Sequence, residues 1–234
     1  MKPLRFVSEI AGLEEIMPII KSSELKHAWK GRAIKDVDSN PAQNVARCPG
    51  INSVQREGWV IRLWQDVTVS WGKEGVSWRS PYDQSNETSP AVTFHNKELF
   101  HQYRENWPIN ACEDILKFNT GWVALVPKGY KLLQLPVMLS DDNRFTVVEG
   151  TYELGAPAEL NVPVYWNKKG ATTIKAGTPL AQLIMIPDTE YEYTVEGMSS
   201  EVQKELIVLR KMIGGSFISS YSRIRKLWSA RSTN

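Results

Sequence analysis

The chain has 234 residues, with 28 basic against 26 acidic side chains and a net charge of +2. That length suffices for one large core with appendages, and the near balance excludes a whole-chain field aimed at nucleic acid or an acidic partner. Two cysteines, Cys48 and Cys112, exclude a disulfide framework and fit a reducing compartment; no apolar run approaches the roughly 20 residues of a membrane span, and no signal peptide is expected.

Residues 1–49 read as an N-terminal segment packed on the core. Leu4, Phe6 and Val7 predict a short strand. Ile10, Leu13, Ile16 and Met17 carry a weak helical period that Pro18 breaks. Ser22 to Trp29 reads as a capped helical turn with Trp29 inward. The polar run from Lys35 to Pro49 reads as a loop.

Residues 50–187 read as the β domain. Gly58 to Trp64 is a strand by composition. Asp66 to Trp71 alternates, with Val67, Val69 and Trp71 on one face. Val76 to Arg79 alternates again after Gly72-Lys73-Glu74-Gly75, which predicts a hairpin with Trp71 and Trp78 straddling its turn. Residues 81–119 read as a long connection containing a short helix over Asn96 to Arg104. His95, His101 and Cys112 lack the close spacing of a zinc site, so no metal and no cofactor is expected. Glu113 and Asp114 are adjacent, point to opposite faces of an extended chain and form no dyad.

From Trp122 to Pro187 short strands alternate with turns. Pro127-Lys128-Gly129-Tyr130 is a turn. Strands follow over Lys131 to Val137, Phe145 to Val148 and Leu160 to Trp166. Pro163 cannot donate to a ladder and places the last of these at an edge or bulge. Asn167 to Gly170 reads as a hairpin turn. Lys175 to Thr178 turns into a final strand, Pro179 to Ile186, whose unbroken apolar run predicts burial on both faces.

Residues 188–234 read as a connector and a basic helical tail. Ser199 caps a helix with Val202, Leu206, Leu209 and Ile213 on one face. Gly214-Gly215 interrupts it. Ile218, Tyr221, Ile224 and Trp228 then mark a second face.

The nine tryptophans suit sheet packing, and the same residue type is over-represented at binding hot spots. The ligand or interface candidates are Trp59, Trp71, Trp78, His95, Gln102, Tyr130, Glu153 and Gln182. On the helical arm they are Arg223, Arg225, Lys226 and Trp228, a set suited to a docking arm or to nucleic-acid phosphates.

The order of three phrases, Pro127 to Tyr130, Gly150 to Glu153 and Ile174 to Leu183, resembles dUTPase-like β-clip domains. Arg47-Cys48-Pro49, Gly58-Trp59-Val60-Ile61, His95, Gln102, Lys117-Phe118, Trp122 and Gly177 to Gln182 are similar to a family of domains of unknown function from T4-like cyanophages and marine bacteria. Together these resemblances cover about residues 25–187. They imply a mainly β, β-clip or barrel-like fold of short antiparallel strands, a phage origin and self-association into an oligomer, in a bacterial host's cytoplasm or in a virion.

The departures concern chemistry. Gly150-Thr151-Tyr152-Glu153-Leu154 lacks the aspartate with which dUTPases position water. Val137-Met138-Leu139-Ser140-Asp141 stands where their Ser-Gly phosphate motif belongs, and no glycine-rich C-terminal arm follows. Asp142, Glu149 and Glu153 remain as carboxylates near the expected cleft and read as solvated. Two function classes stay open: a non-catalytic binding or assembly protein, and a nucleotide-metabolism enzyme with a displaced site.

Overall fold

The computed structural model describes residues 3–35, 45–81, 90–95, 98, 108, 111–153 and 156–213. The chain divides into two units, Met1–Leu25 with Glu57–Thr189, and Lys26–Arg56 with Glu190–Asn234.

The first unit is built of antiparallel strands. In chain order they are β1 (Arg5–Ser8), β2 (Ile20–Lys21), β3 (Trp59–Arg62), β4 (Val67–Gly72), β5 (Gly75–Arg79), β6 (Val92–His95), β7 (Ile115–Leu125), β8 (Tyr130–Pro136), β9 (Phe145–Val147), β10 (Gly150–Tyr152), β11 (Ala158–Trp166), β12 (Gly170–Ile174) and β13 (Pro179–Pro187), with a four-residue helix α1 (Leu13–Ile16) after β1. One sheet runs β1-β7-β11-β9, with β6 also on β7. A second runs β10-β8-β13-β3-β2, and a third β12-β4-β5. The mainly β class expected from the sequence is the observed one.

All three sheets contribute to one core. Phe118, Val162, Val164 and Trp166 come from the first, Ile61, Leu132 and Leu183 from the second, and Val67, Val69 and Ile174 from the third. Alternation explains the third sheet: Val67 and Val69 are buried while Thr68 and Ser70 are half-buried. Leu180, Ala181, Gln182 and Leu183 are all buried, as the unbroken run in β13 predicts for a strand covered on both faces.

Several sequence expectations are corrected. The stretch 81–119 holds strand β6 and the start of β7, the longest strand, rather than only a connection. Its residues pair on both flanks, with β11 on one side and with β6 and β1 on the other, and successive residues on opposite faces are buried alike, Ile115 with Leu116 and Gly121 with Trp122, which erases the alternation. The helix expected over Asn96 to Arg104 lies outside the described residues but for Glu98. The hairpin of β4 and β5 forms, but Trp71 pairs with Val76 and Trp78 with Val69. Gly72 and Gly75 already face each other, so the loop is two residues and the tryptophans are diagonal, not opposite. Asn167 to Gly170 joins no hairpin, because β11 pairs with β7 and β9 while β12 pairs with β4.

Pro163 sits inside the first sheet, in β11 between β7 and β9. Its carbonyl accepts from Val148 N–H at 2.9 Å, just past the last ladder residue of β9. In an antiparallel strand a residue's N and O face the same side, so the missing N–H faces the flank where β9 has ended. The bulge in this strand lies between Glu159 and Asn161.

The second unit carries helices α2 (Ala28–Lys35), α3 (Pro49–Val54) and α4 (Ser200–Ile213). Where one turn was expected over Ser22 to Trp29, a 3-10 turn at Ser22–Glu24 and the start of α2 stand apart. The sequence reading did not foresee α3. Its proline stands in the first turn, where no N–H is needed. Ser199 caps α4 as expected, its Oγ accepting from Val202 N–H at 3.2 Å. The second helical face, Ile218 to Trp228, lies outside the described residues. Among the described residues, no helix is long and apolar enough to cross a membrane.

Candidate functional site

Tyr130, Glu153 and Gln182 are three of the ligand or interface candidates. All lie on or beside the second sheet, but at different points along it. Tyr130 opens β8 opposite Pro187, whereas Gln182 faces Leu135 further along the strand pair.

Tyr130 and Glu153 share one end. The turn before β8 closes with Tyr130 N–H on the Pro127 carbonyl at 3.2 Å. Gly129 takes φ 82 there, a conformation the turn requires and side chains resist. Lys131 Nζ then meets Glu153 Oε1 at 3.1 Å and Asp188 Oδ1 at 3.0 Å. Asp188 and Glu153 hold the Lys131 ammonium above its usual pKa. The Thr151 hydroxyl, at 2.8 Å, and then Lys131 hold Glu153 below the usual carboxylate range. A carboxylate so stabilised is a poor base.

Gln182 is buried and structural. Its Nε2 donates to the Glu57 carbonyl at 2.8 Å, and its Oε1 accepts from Met138 N–H at 3.3 Å. It therefore ties both neighbours of β13 at once. Buried Gln134 and half-buried Tyr152 form a second pair: the Tyr152 hydroxyl lies 2.9 Å from Gln134 Oε1 and 2.8 Å from the Asn161 carbonyl. Gln134 Nε2 donates to the Val148 carbonyl at 3.3 Å. Burial pushes the Tyr152 hydroxyl far above its ordinary pKa, so it stays a neutral donor.

The phrase Lys175 to Thr178, the densest turn signal in the sequence, is also scaffold. Gly177 N–H donates to the Leu63 carbonyl at 2.7 Å and Leu63 N–H to the Thr178 carbonyl at 2.9 Å. Asp66 closes it, taking Lys175 Nζ at 2.7 Å and Ala176 N–H at 2.9 Å.

A surface pocket of about 280 Å³ opens where the end of β8 meets the starts of β9 and β13. Val137, Phe145, Val147 and Leu180 give it an apolar lining, and Ser140, Asp142 and Thr146 add polar groups. None of the seven named candidates that fall among the described residues lines it. Asp142, read from the sequence as solvated, instead clamps Arg144 through both carboxylate oxygens, at 2.9 Å to Nε and 2.5 Å to Nη2. Arg144 Nη1 reaches on to the Thr173 carbonyl at 2.9 Å. The signal was the two-residue spacing in Asp142-Asn143-Arg144, which a turn brings onto one side. Burial alone would raise the Asp142 carboxyl, but the Arg144 guanidinium and N–H outweigh it and the net direction is down.

That direction sets a pH dependence. A folded-state pKa below the unfolded one contributes stability that is present above the unfolded value, near pH 4, and lost as pH falls through the folded value. Asp142→Asn is expected to lose less stability than the native chain as pH falls below about 4, measured as urea midpoints across pH.

The tryptophan candidates are dispersed. Trp59 stacks edge-on to Phe6, centroids 5.6 Å apart. Trp71 and Trp78 are half-buried and pack on the core from the third sheet, with Lys169 Nζ 5.7 Å from the Trp71 ring centroid. His95 ends β6 opposite Ile115; burial and then Lys117 lower its pKa. Gln102, Arg223, Arg225, Lys226 and Trp228 lie outside the described residues. Among the described residues, no group of three or more His, Cys, Asp or Glu is placed to hold a metal ion.

No protein-family model and no curated protein matches the chain. Among solved structures it is similar to a dUTPase of Staphylococcus bacteriophage 80alpha, at 12% identity over 86% of this chain and 100% of that one, with a TM-score of 0.37. It is also similar to a dUTPase from phage phi11 of S. aureus, at 14% identity over 56% of this chain and 97% of that one, with a TM-score of 0.30. Likenesses this loose carry no argument about chemistry. What stands on its own is the mainly β architecture of antiparallel sheets with a helix near the C-terminus.

Proposed function

We propose that this chain is a non-catalytic binding or assembly protein, encoded by a phage, acting in the host cytoplasm or in the virion. The observation that carries the proposal is the fate of two of the three carboxylates near the expected cleft. Glu153 ends on Lys131 and Asp142 on Arg144, each held below the ordinary carboxylate range. Activating water needs a carboxylate free to take a proton. The polar side chains beside them, Gln134, Tyr152 and Gln182, are bound to the chain's own groups. In this reading the β domain is a scaffold, and contacts to a second copy or another protein come from its surface and from the helical tail.

A thermal-shift screen against deoxynucleoside triphosphates with Mg²⁺ tests it. The melting temperature is expected to stay unchanged, because a ligand at 100 times its dissociation constant adds about 2.7 kcal/mol of stability and would be seen. A nucleotide-dependent rise accompanied by hydrolysis overturns the proposal in favour of an enzyme with a displaced site.

A further inference from the structure

Strand β9 ends the first sheet and pairs with β11 alone. Asn167 N–H donates to the Arg144 carbonyl at 2.8 Å, and Val148 N–H donates to the Pro163 carbonyl at 2.9 Å. In an antiparallel strand successive residues aim their main-chain groups at opposite flanks. Residues 144, 146 and 148 therefore face β11. The N–H and C=O groups of Phe145 and Val147 face the other way, where β9 has no ladder partner.

The surface pocket of about 280 Å³ adjoins this strand, with Phe145, Thr146 and Val147 in one wall and the end of β8 and the start of β13 in another. Every residue lining it is among the described ones. Pro136 and Pro179, in the second wall, have no N–H to offer the β9 carbonyls. Leu139 stands beside the pocket with φ 52, and among the described residues it is the one non-glycine with a positive φ. Its turn closes with Ser140 N–H on the Val137 carbonyl at 3.1 Å, and glycine suits that position better. The chain nevertheless keeps a large apolar side chain there, 43% exposed. Backbone strain at a pocket is a pointer to function. Asp142 and Arg144 neutralise each other, while exposed Asp141 precedes the strand and exposed Glu149 follows it, which makes this edge acidic.

We propose that β9 and this pocket take an extended peptide of another protein, with one large apolar side chain in the pocket and basic residues on either side of it. On one flank of an extended chain the peptide groups recur every second residue, about 6.8 Å apart, and the open groups of Phe145 and Val147 share that spacing. The guest's main chain pairs with them, and the pocket selects its side chain. Leu139 covers the side chain once it is seated. The acidic edge favours lysine or arginine on the guest. It disfavours the connector between β13 and α4, of this chain or of a second copy, because that connector carries Glu190, Glu192 and Glu196.

The proposal gives the binding reading a site and rests on that reading. Amide hydrogen exchange of the full chain, followed by NMR, tests it with N-acetylated, C-amidated pentapeptides Lys-Thr-X-Thr-Lys, X being Leu, Ile, Met, Phe or Trp. In the chain alone the amides of Phe145 and Val147 are expected to exchange about tenfold faster than that of Val148, or more. A bound peptide is expected to slow Phe145 and Val147 about tenfold or more and to leave Val148 unchanged. The charge-reversed peptides Glu-Thr-X-Thr-Glu are expected to bind about tenfold more weakly. Leu139→Gly is expected to weaken binding about tenfold while melting no lower than the native chain, since glycine adopts a positive φ freely. Protection by none of the five peptides overturns the proposal. So does protection of Phe145 and Val147 in the chain alone, which would mean that this chain or a second copy already fills the edge, and so do charge-reversed peptides that bind equally well. Loss of the site leaves the non-catalytic reading standing, since nucleotide hydrolysis is what would overturn that.

Discussion

Gly58→Ala is expected to cost about 3–5 kcal/mol, a large share of the roughly 5–15 kcal/mol that holds a typical domain folded. A β-carbon at this position would lie 1.9 Å from the Leu183 carbonyl oxygen and 2.9 Å from its carbon. Both are backbone atoms of β13, so no side-chain rotation relieves the clash. Gly58 also takes φ +68, where alanine is strained even in open space. The carbonyl of Gly58 accepts from Ser22 N–H at 3.0 Å, and the neighbouring Glu57 carbonyl takes the Gln182 side chain. Moving the chain away therefore breaks contacts to β2 and β13 together. Gly31→Ala is the control. Gly31 lies in α2 with nothing within 4 Å of its added carbon, and alanine there is expected to stabilise by about 0.5–1 kcal/mol. Urea midpoints of the two variants should move in opposite directions.

Trp166→Ala is expected to cost about 3–5 kcal/mol through the cavity it leaves. Trp166 is fully buried at the end of β11, and its indole Nε1 donates to the Lys168 carbonyl at 2.7 Å. Its own carbonyl accepts from Cys112 N–H at 2.7 Å, and it pairs with Phe145 of β9. The side chain thus pins the corner where β11 leaves the first sheet for the third. Trp166→Phe keeps much of the volume and should cost less, about 1–2 kcal/mol, mainly the lost hydrogen bond. Trp71→Ala, at a half-buried site, should also fall below the Trp166→Ala cost. Equal losses at Trp71 and Trp166 in thermal melts would mean that the core is not centred where the sheets place it.

Local chemistry explains which elements were visible beforehand. Val67, Val69 and Trp71 alternate with polar residues because one face of the third sheet meets the core, so β4 and β5 announce themselves. Ser199 marks the start of α4 because its oxygen satisfies an otherwise orphan N–H. In β7 the signal cancels: Ile115, Leu116 and Phe118 lie on both faces of an inner strand, and the pattern looks like no period at all. The candidate site was legible in part. The sequence shows that 150–154 holds no aspartate. It could not reveal that Gln182 bridges Glu57 and Met138, since those three residues are spread over 126 positions of chain.

By itself the sequence determined the β-rich class, the hairpin of β4 and β5, the turn at Gly129 and the helix cap at Ser199, because each depends on residues a few positions apart. Only the tertiary structure decided which strands share a sheet, why Pro163 is tolerated inside one, and where Asp142 and Glu153 end. Those outcomes depend on partners far along the chain, Val148 for Pro163 and Thr173 for the Arg144 that holds Asp142. A local pattern specifies that a strand forms and which side chains it presents, but the free energy that selects its neighbour comes from burying both together.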